Sequence, residues 1–264
     1  MKLLEGKRAL IFGVANDHSI AWGIAKAMHK QGAELAFSYA AQVLERRVRP
    51  LAESMGSTFV EQCDVTDDEQ IEAVFKKVAD ELGNIDILVH AVAFAGREEL
   101  EGHFHKTTRE GFRVAMEVSV YSFLALARAS LPLMPDGGCM LTLTFYASEK
   151  VFPNYNVMAV AKSALESTMR YLAADLGPRG IRVNAISPGP VRTLSAAGVG
   201  GFKRMYRDFP EIAPLRRHIS LEDIGHSAVW LASDWARNVT GEVLFVDSGY
   251  NILGAFSPNE TSDP

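Results

Sequence analysis

Cysteine is scarce in this sequence. Only two of the 264 residues are cysteines, and neither Cys63 nor Cys139 belongs to a CxxC pair. The histidines also lack the spacing that zinc ligands require. The sequence therefore predicts no metal centre and no thiol chemistry, and both cysteines are expected to pack in the core.

Long runs of positive charge or of apolar residues are also missing. The formal net charge is -5, and basic residues occur at most in pairs such as Arg46-Arg47 and Arg216-Arg217. This pattern predicts no binding to nucleic acid or to anionic lipid. No uninterrupted apolar run approaches the roughly 20 residues of a membrane span, and no signal peptide is recognisable at the N-terminus. We therefore expect a cytoplasmic protein without a membrane segment.

Short β-branched runs alternate with longer helical patterns along the chain. Strands are predicted near residues 9–12, 35–38, 58–60, 85–89, 140–144, 183–186 and 243–246. Helices are predicted near residues 20–32, 41–55, 68–82, 107–131, 155–176 and 221–233, and Thr66 with Glu69 suggests a capping box before the third helix. The alternation is typical of a doubly wound α/β fold with a seven-stranded parallel sheet of the Rossmann type. One catalytic domain over 1–256 and a flexible tail over 257–264 are expected.

The turn after the first strand is a candidate phosphate site, because ligands of such sheets bind beyond the carboxyl ends of the strands. Its sequence, GVANDHSIA at 13–21, lacks the GxGxxG spacing. It nevertheless supplies Gly13, where the backbone can approach a ligand, and Ser19 at the start of a helix. A plain capped helix explains the same residues, so both interpretations stay open.

No acidic residue follows the second strand, where SYAAQ occupies 38–42. An acid there would bind the ribose of NAD, whereas Arg46-Arg47 would suit a 2′-phosphate, so the choice between NADH and NADPH stays open. Asp64 follows the third strand. It could accept a hydrogen bond from an adenine amino group or support the helix start at Thr66, and the sequence does not separate the two.

Tyr155 and Lys162 form the most informative pair in the chain. Seven positions on an α-helix correspond to about two turns and a rise of roughly 10 Å, so the phenol and the ammonium emerge from one face. One side chain can then meet a substrate while the other holds a cofactor. A neighbouring ammonium also favours phenolate, which predicts a more acidic tyrosine. Taken alone, the pair fits better a helix that merely presents one aromatic residue and one solvated lysine, and only its context favours a catalytic role.

Four motifs in order resemble the short-chain dehydrogenase/reductase superfamily: GVANDHSIA at 13–21, PNYNVM at 153–158, VNAIS at 183–187 and GPVRTL at 189–194. The long tyrosine-to-lysine spacing is similar to that of the bacterial enoyl-acyl-carrier-protein reductases, and the resemblance covers about residues 3 to 254. It implies reduction of enoyl thioesters in fatty-acid synthesis with NADH, NADPH not being excluded. The implied partner is acyl-carrier protein. By analogy with the superfamily we also expect a homotetramer, because the helices at 107–131 and 155–176 are unusually apolar.

The resemblance also implies roles for individual residues. Tyr155 would stabilise the enolate oxygen, and Lys162 would hydrogen-bond the cofactor ribose. The remaining cofactor contacts would be Gly13, Ala15, Ser19, Ile20, Asp64, Val65, Ala91, Ala93, Val191 and Thr193. The other substrate contacts would be Phe94, Ala95, Phe145, Met158, Ala196 and Phe202. Segment 194–207, in which glycines lie among apolar residues, is expected to form a mobile lid over the acyl chain, the alternative being a surface loop tucked on the core.

Three positions depart from the family pattern. Phe145 occupies the place of a second tyrosine, ten residues before Tyr155. Tyr146 follows, but successive strand side chains face opposite ways, so it is not expected to substitute. Ala93 replaces a common glycine and Ala91 a serine, which puts the exact substrate and chain length in doubt. A reductase of a ketone or of another enone, and a catalytically silent dinucleotide sensor, are the alternative functions.

Overall fold

The computed structural model describes residues 2–194, 196–198 and 200–254, so the predicted tail at 257–264 lies outside the described residues. Seven parallel strands form one sheet in the order β3-β2-β1-β4-β5-β6-β7. They are β1 Arg8–Phe12, β2 Glu34–Tyr39, β3 Val60–Gln62, β4 Ile87–His90, β5 Gly138–Leu143, β6 Ile181–Pro188 and β7 Val243–Val246. The predicted doubly wound fold is confirmed.

Helices cover both faces of this sheet, as its continuous apolar strands require. Their bounds are α1 Ile20–Lys30, α2 Gln42–Glu53, α3 Asp68–Glu81, α4 Arg109–Met116, α5 Ser122–Ser130, α6 Asn156–Leu176, α7 Phe202–Ile212 and α8 Leu221–Ala232. One core lies between the sheet and α1, α2 and α8. The other lies between the sheet and α3, α5 and α6. Cys139 packs in the first core and Cys63 in the second, as expected, and burial raises the pKa of both thiols, to about 11 and about 12.

The structure corrects several predicted boundaries. The third strand starts two residues later than predicted, where Val60 pairs with Phe37 of β2. The helix predicted over 107–131 is divided by a π-helical segment, Glu117–Tyr121, between α4 and α5. Helix α7 was not predicted from the sequence.

The capping box predicted at Thr66 and Glu69 is wrong. Asp67 precedes α3 directly, and its carboxylate accepts the backbone N–H groups of Glu69 at 3.0 Å and Gln70 at 3.2 Å. A charged carboxylate at this position is a strong acceptor for the unpaired N–H groups of a first helical turn. The Thr66 hydroxyl instead donates to Asp64 Oδ1 at 2.8 Å.

The helical run Arg109–Leu133 is long and apolar enough, by length and composition alone, to span a membrane. Half of its most apolar window is buried within the protein. Phe123 and Leu126 are fully buried there against the sheet. The run is therefore accounted for as a core helix of the domain.

The topology brings the candidate residues to one edge of the sheet. The chain runs from β1 to β2 on one side and later returns to β4 on the other, so a crevice opens at the carboxyl ends of β1 and β4. Gly13 directly follows β1 with φ +103°, a conformation that favours glycine. A β-carbon at this position would overlap the backbone carbonyl of Ala91, which follows β4. Glycine thus allows the two strand ends to close together.

Candidate active site

The carboxyl end of β5 and the start of α6 hold the central pair. Tyr155 immediately precedes α6 and is half-buried, with its ring centroid 4.9 Å from that of Phe145. Lys162 lies two turns further along and is only 5% exposed. Its Nζ donates to the carbonyl oxygen of Leu143, the last residue of β5, at 2.6 Å. Lys162 thus contacts the last residue of β5, and Tyr155 packs on Phe145, two residues beyond it. That the two side chains share one helix face stays a prediction, because Tyr155 lies before α6 and Asn156, with φ +36°, interrupts the helical backbone between them.

The acidity of the pair differs from the prediction. Burial raises the pKa of Tyr155, which is opposite to the direction expected from a neighbouring ammonium. Burial also lowers the pKa of Lys162 to about 8, an effect that the negative charge of Glu166 partly opposes. The phenol is therefore neutral at physiological pH. It is suited to donate its hydroxyl hydrogen to an oxygen on which negative charge develops.

A buried polar network beside Lys162 was not predicted. His90, at the end of β4, is fully buried between the hydroxyls of Thr142, 2.9 Å from Nδ1, and Ser122, 2.8 Å from Nε2. Burial lowers the pKa of His90 to about 3, and the charge of Lys162 acts in the same direction. His90 is thus a neutral, satisfied histidine. No spacing motif announces this arrangement, because its members come from β4, β5 and α5.

The turn after β1 leads directly into the first turn of α1. Ser19 precedes α1, but its hydroxyl donates to the carbonyl oxygen of Asn16 at 2.6 Å and does not cap the helix. The predicted position of Ser19 at the start of the helix is confirmed, whereas the alternative of a helix capped by its hydroxyl is wrong. The Trp22 N–H donates to the carbonyl oxygen of Ser19 at 3.1 Å, which leaves the N–H groups of Ile20 and Ala21 in the first turn for an anion. Ala15, Ser19 and Ile20 are half-buried along this turn.

At the expected adenosine end, Asp64 accepts both the backbone N–H of Thr66 at 3.0 Å and its hydroxyl at 2.8 Å. Asp64 thus supports the approach to α3, one of the two roles left open by the sequence. The Val65 side chain is buried in the core. Arg46 and Arg47 are exposed on α2, in the region where a 2′-phosphate would be recognised.

The expected substrate side is lined by apolar residues. Met158 and Ala95 pack in a small cluster with Tyr155. Phe94 is 55% exposed at the cleft, and its backbone N–H donates to Ser119 Oγ at 3.1 Å. The predicted contacts Ala91 and Ala93 follow β4 beside this region.

Tyr146 does not replace the missing tyrosine at Phe145, as the alternation of strand side chains predicts. Its hydroxyl donates to the carbonyl oxygen of Asn251 at 2.8 Å, and the residue is buried. The Phe145 ring instead packs 4.9 Å from the rings of both Phe152 and Tyr155. The phenyl group therefore supports the Tyr155 ring without offering it a hydrogen bond.

The expected lid consists partly of α7. Residues 195 and 199 lie outside the described residues, Ala196 lies in a short 3₁₀ turn, and Phe202 begins the helix. Further along α7, the Tyr206 ring stacks on His218 at 4.0 Å and lies 4.5 Å from the Arg192 guanidinium carbon. Phe209 is almost completely buried. These contacts join the second half of the segment to the domain, while the mobility of the lid stays a prediction.

Two asparagines connect the Tyr155 turn to the loops around it. Asn154 has φ +63° and Asn156 has φ +36°, so both adopt the left-handed conformation. Asn154 Nδ2 donates to the carbonyl oxygen of Gly200 at 3.2 Å, and Asn156 Nδ2 donates to that of Gly102 at 3.3 Å. The turn that carries Tyr155 is thereby bonded to both sides of the cleft.

The same sheet edge has polar groups that suit a dinucleotide. The buried hydroxyls of Ser38, in β2, and Ser187, in β6, have no hydrogen-bond partner within the described part of the chain. With the backbone of the Gly13 turn and the Lys162 amine, they leave donors available for phosphate and ribose oxygens. Val191 and Thr193 follow β6 at this edge, where they were expected to meet the nicotinamide half. Among the described residues, no group of three or more His, Cys, Asp or Glu side chains could hold a metal ion.

Comparisons with known proteins agree with this geometry. The sequence model of the family described as "Enoyl-(Acyl carrier protein) reductase" matches residues 13–251. The enoyl-[acyl-carrier-protein] reductase [NADH] of Aquifex aeolicus is 52% identical over 98% of this chain and 97% of its own. That of Bacillus cereus is 52% identical over 96% of this chain and 100% of its own.

Solved structures show the same likeness. The Bacillus cereus enoyl-acyl carrier protein reductase with NADP+ and indole naphthyridinone superposes with a TM-score of 0.95 at 51% identity, covering 97% of this chain and 100% of that chain. The Anaplasma phagocytophilum reductase in complex with NAD has a TM-score of 0.93 at 49% identity, covering 97% of each chain. Fold, motifs and full-length identity agree, and the chain belongs to the enoyl-acyl-carrier-protein reductase family of the short-chain dehydrogenase/reductase superfamily.

Proposed function

We propose that this protein reduces the trans-2 double bond of enoyl thioesters on acyl-carrier protein, with NADH, in fatty-acid synthesis. The observation that carries the proposal is the placement of a neutral phenol, Tyr155, and a buried amine, Lys162, at the carboxyl end of β5. The relatives from Aquifex aeolicus and Bacillus cereus are named for their use of NADH.

When bound, the reduced nicotinamide supplies the hydride that is added to the β-carbon of the enoyl group. Lys162 holds the ribose hydroxyls of this cofactor, and the backbone of the Gly13 turn receives the pyrophosphate. Val191 offers its backbone to the carboxamide, and Thr193 reaches a phosphate. Because Lys162 Nζ donates to the carbonyl oxygen of Leu143, the amine is held in one position and can orient the ribose.

Tyr155 stabilises the oxygen on which charge develops. Addition at the β-carbon moves charge to the thioester carbonyl oxygen, which is bonded to a carbon two positions away from the one that receives the hydride. In a ketone reductase, by contrast, the oxygen is bonded to the attacked carbon itself. A tyrosine seven positions from the lysine, instead of four, lies before the start of α6. It can therefore stand more than one helical turn away from the lysine, as that displacement requires. A hydrogen-bond donor directed at such an oxygen typically contributes roughly 3 to 4 kcal/mol. Protonation of the α-carbon then completes the product.

The acyl chain lies between the apolar loop at Phe94 and Ala95 and the segment 194–207, which covers it. Met158 and Phe145 form the wall beside Tyr155, and Ala196 and Phe202 belong to the cover. Phe94 is exposed at present and would be covered when a chain binds. This arrangement suits an extended apolar substrate.

Parallel assays with crotonyl and acetoacetyl thioesters, each with NADH and NADPH, test the activity. We expect oxidation of NADH with the crotonyl thioester and little with the acetoacetyl thioester. A faster reaction with the ketone would establish the alternative reductase activity. Cofactor binding without turnover of either thioester would identify a dinucleotide sensor.

The active form is a cytoplasmic homotetramer. Tyr121 and Leu124 of the α4–α5 region are 43% and 40% exposed, and Tyr171 of α6 is 73% exposed, so both long helices carry apolar surface that a second copy can cover. Light scattering should give the mass of four 28.9 kDa chains. A monomer at assay concentrations would overturn this assignment.

A further inference from the structure

Helix α6 carries a second buried charge, which the mechanism above does not use. Glu166 lies one turn after Lys162, and both residues are only 5% exposed. Removal of a carboxylate from water is costly unless partners compensate it. A glutamate buried in the middle of the helix that bears the cofactor-binding lysine therefore requires a structural or functional reason.

Glu166 and Lys162 are anchored to adjacent residues at the end of β5. Lys162 Nζ donates to the carbonyl oxygen of Leu143 at 2.6 Å, and the Thr144 hydroxyl donates to Glu166 Oε1 at 2.6 Å. The other carboxylate oxygen, Oε2, lies 4.0 Å from Nη1 of Arg170, which is half-exposed. The Glu166 carboxylate thus lies on α6 between the buried Lys162 and the half-exposed Arg170.

Titratable groups from three elements surround Lys162. Glu166 lies on α6, and its negative charge opposes the effect of burial on the Lys162 pKa. His90 of β4 is neutral, because burial lowers its pKa to about 3. Tyr155 is neutral as well, since burial raises its pKa. Among the described residues that face the lysine, Glu166 therefore supplies the negative charge.

We propose that Glu166 is a positioning residue for the reduction: its carboxylate keeps the Lys162 side chain protonated and directed at the cofactor ribose. The proposal rests on the proposed role of Lys162 in holding the cofactor. Glu166 touches neither cofactor nor substrate in this scheme. Its effect passes entirely through the charge of Lys162.

A purely structural role for Glu166 predicts a different result. If the side chain only had to accept the Thr144 hydrogen bond, the amide oxygen of a glutamine would serve as well. Substitution by glutamine preserves the shape and the acceptor but removes the charge. The variant Glu166→Gln therefore separates the two roles, and Glu166→Asp is its charge-preserving control.

The experiment measures the dissociation constant of NADH by fluorescence titration of the full-length protein from pH 6 to pH 10. The wild-type affinity should be constant at low pH and decline above about pH 8, where Lys162 loses its proton. In Glu166→Gln the decline should begin about one pH unit lower, giving roughly tenfold weaker binding at pH 9 and less than about twofold weaker binding at pH 6. Glu166→Asp should lie between the two profiles.

Two outcomes would overturn the proposal. The pH profile of Glu166→Gln could coincide with that of the wild type, or its affinity could fall by the same factor at every pH. Should Glu166→Gln fail to fold by circular dichroism, Thr144→Val keeps the charge but removes its anchor. This variant should shift the profile in the same direction by a smaller amount, and an unchanged profile would equally refute the proposal.

The variant Lys162→Met distinguishes this proposal from the proposed function. If Lys162 holds the cofactor, Lys162→Met binds NADH more weakly and without the decline above pH 8, and adding Glu166→Gln changes that profile no further. If Lys162→Met binds NADH as the wild type does, the proposed role of the lysine fails. If only the lysine variant has an effect, the inference about Glu166 fails alone.

Discussion

The floor and the rim of the cleft are built differently. The floor comprises the ends of β4 and β5 with the first half of α6, where His90, Lys162 and Glu166 are buried and hydrogen-bonded at 2.6 to 2.9 Å. The rim comprises the loop 94–108 and the segment 194–212. There, Phe94 and Leu194 are 55% and 60% exposed, and the bonds to the Tyr155 turn measure 3.2 and 3.3 Å.

This difference indicates that the floor and the rim have different functions. Electrostatic stabilisation requires groups that do not reorganise during the reaction, which the packed floor supplies. Admission and covering of a long apolar chain require a surface that can rearrange, which the exposed residues of the rim, such as Phe94 and Leu194, can supply while Phe209 anchors α7 to the domain. The floor would then determine the rate of the chemical step, and the rim would determine which acyl chains reach it.

The largest expected effect belongs to the phenol at the junction of floor and rim. Tyr155→Phe should lower kcat with an enoyl thioester by about 100- to 1000-fold, because the donor to the developing oxyanion is lost. The dissociation constant of NADH should stay unchanged. Tyr146→Phe is the matched control, since it removes a phenol that is bonded to Asn251, and its kcat should remain within about threefold of wild type. Equal kcat losses in the two variants would remove the distinction.

Substitutions in the floor and in the rim should also differ in their effect on the free energy of unfolding. Leu88→Ala in β4 removes a fully buried side chain and should lower the free energy of unfolding by about 2 to 5 kcal/mol in urea titrations. Phe94→Ala on the exposed rim should change it by at most about 0.5 kcal/mol. A comparable loss at Phe94 would show that the rim is as tightly packed as the floor.

The floor should also respond to acid through His90. Its pKa is about 3 in the folded protein, against an ordinary value near 6.5, so the unfolded chain binds more protons between these values. The contribution of His90 to the free energy of unfolding is therefore fully present above about pH 6.5 and is lost as the pH falls toward 3. The loss amounts to about 3 kcal/mol at pH 4. In urea titrations His90→Gln should lose this component, whereas His29→Gln on the exposed surface of α1 should retain it. A pH dependence of stability unaltered by His90→Gln would contradict the assignment.

The smallest predicted effects concern the bonds that join the rim to Tyr155. Asn154→Gly and Asn156→Gly preserve the left-handed backbone but remove one exposed hydrogen bond each, worth about 1 kcal/mol or a fivefold change. Asn154→Gly should lower kcat/KM about fivefold and speed hydrogen exchange in α7. Asn156→Gly should speed exchange near Gly102 while leaving α7 unchanged. Loss of protection in both regions from either variant would show that the rim moves as one unit.

The sheet and seven of the eight helices in outline, with α4 and α5 predicted as one, were predictable because they depend on local patterns. Alternating strands and helices predict a parallel sheet. The spacing of Tyr155 and Lys162 identified the pair, but the start of α6 after Tyr155 was not foreseen. Helix α7 was not predicted, because glycines precede it and Pro210 lies within it, and both residue types disfavour a helix. Contacts of Tyr206 with Arg192 and His218, distant in sequence, accompany it in the fold.

The polar groups of the floor were unpredictable for a similar reason. Thr144 and Glu166 are 22 residues apart, and their bond exists only because α6 packs on the end of β5. The acidity of Tyr155 was predicted in the wrong direction, since a sequence shows a neighbouring ammonium but not the burial that outweighs it. Spacing thus identified the candidate residues, whereas their protonation depends on the packed environment.

The most direct measurement is a crystal structure of the protein with NAD+ and an unreactive enoyl-thioester analogue. The Tyr155 hydroxyl should lie about 2.6 to 3.2 Å from the thioester oxygen, with Lys162 Nζ at the same kind of distance from the ribose hydroxyls. A thioester oxygen bound to another donor, with the Tyr155 hydroxyl more than about 5 Å away, would contradict the role assigned to Tyr155.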